Sequence, residues 1–253
     1  MTGLRIEPEE RELASPLGRL QPLVKLVIAV GWLLGLTLTT RIGPPLAIAA
    51  IAAVAGVSLG RIPIRGLARA AAPLWIAALT VGFFNAVFSA ANVDPAATEV
   101  ARIGPLRLTQ EALIGAAGVA ARIVAIAVIG VVIARTTDST GLVDVLVQAA
   151  RVPDRFAYGA LAAYQALPRF AEDLTTLRQA RRIRGLRGSW HPRVLVGLLV
   201  LAVRHGDRLA LAMDSRGFGS GRRTHYRTVR WTALDPLAIL LAIAILVAAL
   251  ALL

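Results

Sequence analysis

The 253-residue chain is 57% hydrophobic, with a mean hydropathy of +0.67, a net charge of +13 and no cysteine. Soluble domains are about 45–50% apolar, so the composition excludes an ordinary soluble domain. The missing cysteines exclude a disulfide framework, a thiol nucleophile and a Cys-based metal site. A pI near 11.6 fits a nucleic-acid binder. In a chain with long apolar runs, arginine-loaded cytoplasmic loops are the simpler cause, and no nucleic-acid partner is expected.

The opening segment EPEERELASPLGR mixes acids and bases and lacks a signal-peptide pattern. It reads as a cytoplasmic tail ahead of a retained helix. Five segments then approach the roughly 20 apolar residues that cross a bilayer as a helix. They are 23–40, 42–59, 70–91, 112–134 and 236–253. Lys25 is placed to snorkel to the headgroups. Prolines open the second segment, where a helix tolerates them. The fold class is therefore all-α: a polytopic membrane protein of about five spans. With the N-terminus inside, 24 basic residues fall on the inner side and three (Arg41, Arg102, Arg107) on the outer side. That split places the N-terminus in the cytoplasm and the C-terminus outside.

Between the fourth and fifth spans, Arg135 to Arg230 holds 17 arginines and seven acids. It is neither low-complexity nor Pro/Ser-rich, so it is not read as disordered. Leu167, Phe170, Ala171, Leu174 and Leu177 recur at spacings of three and four, predicting an amphipathic helix over 161–184. Leu195, Leu198, Leu199, Ala202, Leu209 and Met213 predict another over 193–216. Mutual packing of the two apolar stripes is the simplest use, and a platform for a membrane partner is the sharper one. A shorter helix over 140–150 has Asp138, Ser139 or Thr140 as candidate N-cap. The expected organisation is 1–135 (tail and four spans), 136–232 (cytoplasmic helices) and 233–253 (last span).

Both long helices end on the same dipeptide: Ile183-Arg184-Gly185 and Ser215-Arg216-Gly217. Glycine closes a helix in the left-handed conformation without steric cost. Arginine near a C-terminus complements the helix dipole. One such ending is a cap. Two, on consecutive helices, also offer guanidinium forks suited to carboxylates or carbonyls of another protein.

The paired endings resemble the Ala-Arg-Gly signatures of the transmembrane T component of energy-coupling factor (ECF) transporters, the EcfT/CbiQ family. QPLVKLVIAVGWLLGL resembles that family's opening helix, and DSTGLVDVLVQAARVPDRF the stretch after its fourth span. YQALPRFAEDLTTLRQARRIRG and RHGDRLALAMDSRGFGSGRRTHYR resemble the helices that carry the two signatures. Ile183 and Ser215 depart from the family's alanine, and the bulk of Ile183 bears on how that tip seats. The resemblance implies a non-catalytic subunit of the cell membrane, working with two ATP-binding-cassette ATPases and a substrate-capturing S component for a vitamin or metal ion. It implies docking of Arg184 on one ATPase and Arg216 on the other, with Gly185 and Gly217 ending the helices.

The residues agree with a partner that lacks its own motor. No G-x-x-x-x-G-K-[ST] is present. GFGSG at 217–221 follows a helix rather than a strand, which makes it a poor nucleotide fingerprint. Arg122 lies inside the fourth span, where a charge is expensive; it is a functional candidate, or it pairs inward and fixes the bundle. Asn85 in the third span reads as an interhelical hydrogen-bond partner. His191, His205 and His225 lack metal-ligand spacing, and no metal, cofactor or catalytic constellation is expected. Arg222, Arg223, Arg227 and Arg230 read as anchors to anionic lipid of the bilayer. The rival classes are a membrane-embedded enzyme and a basic membrane-tethered binding protein.

Overall fold

A computed structural model describes residues 10–39, 41–103, 106–186, 191–221, 228–229 and 231–252. His225, Arg222, Arg223, Arg227 and Arg230 lie outside the described residues. The chain divides into two compact units: Met1–Leu142 with Arg230–Leu253, and Val143–Val229.

The first unit opens with two short helices, α1 (Glu10–Leu13) and α2 (Pro16–Arg19). Five apolar helices follow: α3 (Pro22–Thr37), α4 (Gly43–Ser58), α5 (Ile64–Val87), α6 (Gln110–Thr136) and α10 (Leu234–Leu252). Three stretches, Ile64–Asn92, Gln110–Thr136 and Leu234–Ala251, are long and apolar enough to cross a membrane. α3 and α4, at 16 residues each, are shorter. At 1.5 Å per residue each reaches about 24 Å, less than a hydrocarbon core of about 30 Å.

Side-chain contacts set the directions. Lys25 at the start of α3 meets Thr136 at the end of α6, while Arg122, midway along α6, donates to the Thr39 carbonyl just past α3. Trp32 Nε1 donates to Ala242 O at 3.0 Å, and Leu246 crowds Gly35, so α3 and α10 run parallel. Gly66 lies against Arg135 and Gly82 against Ala120, so α5 and α6 run antiparallel. The five helices alternate in direction, and α3 and α10 begin at the same end. Leu36, Ile48, Ile62, Ala125 and Ile129 form the centre of the core.

Several expectations are corrected. The third span begins at Ile64, six residues before the expected start, because Pro63 in an extended conformation launches it. Arg65 and Arg69 therefore sit on the helix, not in a loop. Between α5 and α6 lies an unexpected antiparallel hairpin, β1 (Glu99–Ile103) and β2 (Leu106–Thr109). Arg107 holds it, donating to Asp94 O and Ala97 O and pairing with Glu99 at 3.1 Å. Asn92 links the flanking helices: its amide donates to Ala86 O, and its oxygen accepts from Thr109. Lys25 does not snorkel; it is 5% exposed and its ammonium turns inward onto the Thr136 carbonyl, the negative end of α6. The segment read as a tail contributes a fully buried carboxylate, Glu12.

The second unit contains most of α7 (Ser139–Gln148), then α8 (Asp154–Ile183) and α9 (Pro192–Ser215). Asp138 is the N-cap of α7, its carboxylate accepting from the Gly141 N–H at 3.0 Å. α8 starts seven residues before the expected 161, behind Pro153. Val143, Val147 and Ala157 pack together, and Tyr158 Oη donates to Asp144 at 2.9 Å.

Candidate functional site

α8 and α9 form an antiparallel pair. Leu177 lies against Gly197, and the rings of Phe170 and His205 meet edge to face with centroids 6.1 Å apart. Arg155 at the beginning of α8 donates to Gly219 O at 2.9 Å, just past the end of α9. Antiparallel packing puts the two C-termini at opposite ends of the pair. With α9 at 24 residues, the tips stand about 36 Å apart.

The two endings share one backbone geometry. At the end of α8, the Gly185 N–H donates to Arg182 O at 3.0 Å and the Leu186 N–H to Arg181 O at 3.1 Å. At the end of α9, the Gly217 N–H donates to Asp214 O at 2.9 Å and the Phe218 N–H to Met213 O at 3.0 Å. This is the Schellman closure, with bonds from C′ to C2 and from C″ to C3. Its C′ residue must take a positive φ, and Gly185 and Gly217 have φ of 71° and 69°. Arg184 (φ −77°, ψ 9°) and Arg216 (φ −92°, ψ 9°) occupy the equivalent cap position. Both arginines are exposed. Each therefore stands exposed just past the last turn, with the C2 and C3 carbonyls beside it already satisfied.

The flanking residues differ. Ile183 is 86% exposed and points away from the pair. The Ser215 hydroxyl turns back to Ala212 O at 2.9 Å. The end of α9 is further fixed by Ser220 Oγ donating to Gly217 O at 2.8 Å and by Arg155 on Gly219.

The apolar stripes divide between two directions. Val194, Leu198, Ala202 and Leu209 on α9, and Ala166, Phe170, Leu174 and Leu177 on α8, are buried or half-buried. Leu195 and Leu199, expected in the same stripe, face outward with Val196, Val200 and Val203 as a second, exposed apolar face. On α8, Leu167 and Ala171 are likewise exposed, together with Phe156 and Tyr164.

The intramembrane candidates separate. Arg122 is half-buried, and its guanidinium caps the carbonyl of Thr39. Asn85 is exposed near the end of α5, with no side-chain hydrogen bond to another described residue. Among the described residues, no group of three or more His, Asp or Glu side chains could hold a metal ion. His191 instead accepts from the Arg193 N–H as the N-cap of α9. Sequence reasoning missed Glu12, Arg135, Arg155 and Asp235, whose carboxylate accepts from the Gln21 N–H at 3.1 Å; all are ordinary charged letters until folding brings their partners.

Residues 14–226 match the family model CbiQ, described as cobalt transport protein. The energy-coupling factor transporter transmembrane protein EcfT of Heliobacterium modesticaldum is 29% identical over 246 residues, 88% of each chain. The EcfT of Limosilactobacillus fermentum is 27% identical over 256 residues, 93% of this chain and 92% of that protein. A Bifidobacterium longum protein described as an ABC transporter ATP-binding protein is 27% identical over 241 residues. That match covers 87% of this chain, which spans 30% of that relative's length.

Proposed function

The chain belongs to the EcfT/CbiQ family of ECF-transporter transmembrane components, and on that footing we propose that it couples two ATPases to a substrate-capturing S component. Arg184 docks on one ATPase and Arg216 on the other. The observation that carries this reading is the twin Schellman endings, which present two arginines identically at opposite ends of one stiff pair. Two sockets about 36 Å apart suit two copies, or two kinds, of an ATPase subunit. The chain itself is non-catalytic, and partner subunits hydrolyse ATP. The likeness to a protein described as an ABC transporter ATP-binding protein supports that partnership.

The exposed face of Leu195, Val196, Leu199, Val200 and Val203 on α9 receives the S component. An apolar patch rimmed by polar residues marks an interaction surface, and here Arg193, Arg204 and Arg208 form the rim. The cargo is a vitamin or a transition-metal ion chosen by that S component; the family's description as cobalt transport supports the second. The 24-to-3 charge split supports a cytoplasmic N-terminus and an external end of α10. A reporter fused after Leu253 then reads external, whereas a cytoplasmic signal overturns this topology.

Replacing Arg184 and Arg216 together with Glu tests the docking role. ATPases co-expressed with the tagged double variant should be lost on purification. Full recovery with the double variant refutes docking through these tips.

A further inference from the structure

We propose that Glu12, carried by the opening segment, is a positioning residue that fixes the end of α6 as the pivot of the coupling helices. The Arg135 guanidinium meets the Glu12 carboxylate through Nε at 3.0 Å and Nη2 at 2.5 Å. Both residues are buried, at 6% and 1% exposure. One residue on, the Thr136 carbonyl accepts from Lys25 Nζ, which also reaches Gly18 O at 3.5 Å. Ser15 caps α2 by accepting from the Gly18 N–H at 2.9 Å, which shapes the segment that delivers Glu12. The last turn of α6 is thereby tied to α1 by an ion pair and to α3 by a cation on its final carbonyl.

Val132 and Ile129 pack this end of α6 into the core, but packing is incomplete on one side of its last turn. An apolar cavity of about 100 Å³ lies beside the turn, lined by Leu17, Lys25, Trp32, Ala52, Val132 and Thr136. Thinner local packing lowers the free energy of local opening, and bonds at that end raise it. Immediately beyond, Thr137 is extended (φ −116°, ψ 124°), and Asp138 caps α7. Two residues, Thr137 and Asp138, therefore join two fixed ends. A displacement of the start of α7 passes through this short joint to α6 only if the α6 end does not yield. A buried ion pair adds little net stability relative to apolar packing, but removing one member is costly because it leaves a buried charge uncompensated. Glu12 lies ahead of residues 14–226, the part that matches the family. The pivot role rests on the coupling reading above; the staple itself does not.

Hydrogen–deuterium exchange of the full chain, purified with its co-expressed ATPases, tests both separately. Glu12→Gln should speed exchange of the amides at 133–136 by about a hundredfold, since losing one member of a buried pair frees the local turn. The charge swap Glu12→Arg with Arg135→Glu should restore most of the protection. If Glu12→Gln does not accumulate, Glu12→Asp, which stretches the same pair, takes its place with the same expectation. On adding ATP, the wild-type complex should change exchange in α8, α9 and α6, and the Glu12 variant in α8 and α9 alone. Unchanged exchange at 133–136, or no recovery on swapping the charges, overturns the staple. An α6 response that persists in the Glu12 variant overturns the pivot. If the wild type retains no ATPase, the coupling reading and the pivot role fall together, while exchange at 133–136 still decides the staple.

Discussion

The two units use charge in opposite ways. The membrane unit buries a set of charges, Glu12, Lys25, Arg135 and Asp235, while Leu79, Phe83 and Leu240 face outward. The unit of α8 and α9 displays charge: Arg184 and Arg216 are exposed at helix tips, and its buried apolar cluster is small, Val143, Val147 and Ala157. Hydrocarbon offers no hydrogen-bond partner, so polar groups there must be satisfied inside the protein. In water a guanidinium costs nothing to expose and remains available to a partner. The same residue type is thus a structural tie in one unit and, in the proposed docking role, a contact in the other.

Substitutions at arginine should show this difference most strongly. Arg135→Leu strands the Glu12 carboxylate, at a cost of about 3–5 kcal/mol. The melting midpoint in detergent should fall by roughly 10 °C. Arg216→Ala should leave it unchanged, because a surface substitution stays within about 0.5 kcal/mol. Equal shifts would mean that the tip arginine is structural as well. Next in size, Gly217→Ala forces a β-carbon into the left-handed region at about 1–2 kcal/mol. It re-aims the tip, so ATPase recovery should fall by up to about tenfold, with Gly185→Ala behaving alike. Tyr158→Phe removes the bond to Asp144, worth about 1 kcal/mol; faster exchange at 143–158, with α3 to α6 unaffected, would show it. Smallest is Ser215→Ala, which gives up only a local hydroxyl bond to Ala212 O. Recovery of the ATPases should not change.

Much of this was legible beforehand because it is written locally. Apolar runs marked the five helices, and Arg-Gly marked both endings, since a C′ glycine is a demand of the backbone itself. Long-range pairing was not legible. Lys25 read as a snorkelling residue, because nothing in QPLVKL reveals that the end of α6 supplies a carbonyl 111 residues away. Glu12 sat in a segment whose composition says tail, and only the fold brings Arg135 to it. The hairpin of Glu99–Ile103 and Leu106–Thr109 was missed because its strands are too short for a clear alternation. The stripe on α9 was read as one face, whereas Leu195 and Leu199 belong to a second, since adjacent apolar positions cannot all point the same way.

Because the chain contains no cysteine, one introduced thiol is a unique label. Ile183→Cys and Ser215→Cys, each carrying a photoactivatable cross-linker, place a probe beside Arg184 and Arg216. Leu79→Cys, on the exposed face of α5, is the control. With the ATPases co-expressed, both tips should cross-link to an ATPase and Leu79→Cys should not. Tips that label no ATPase, or no more than the Leu79 site does, would contradict the account.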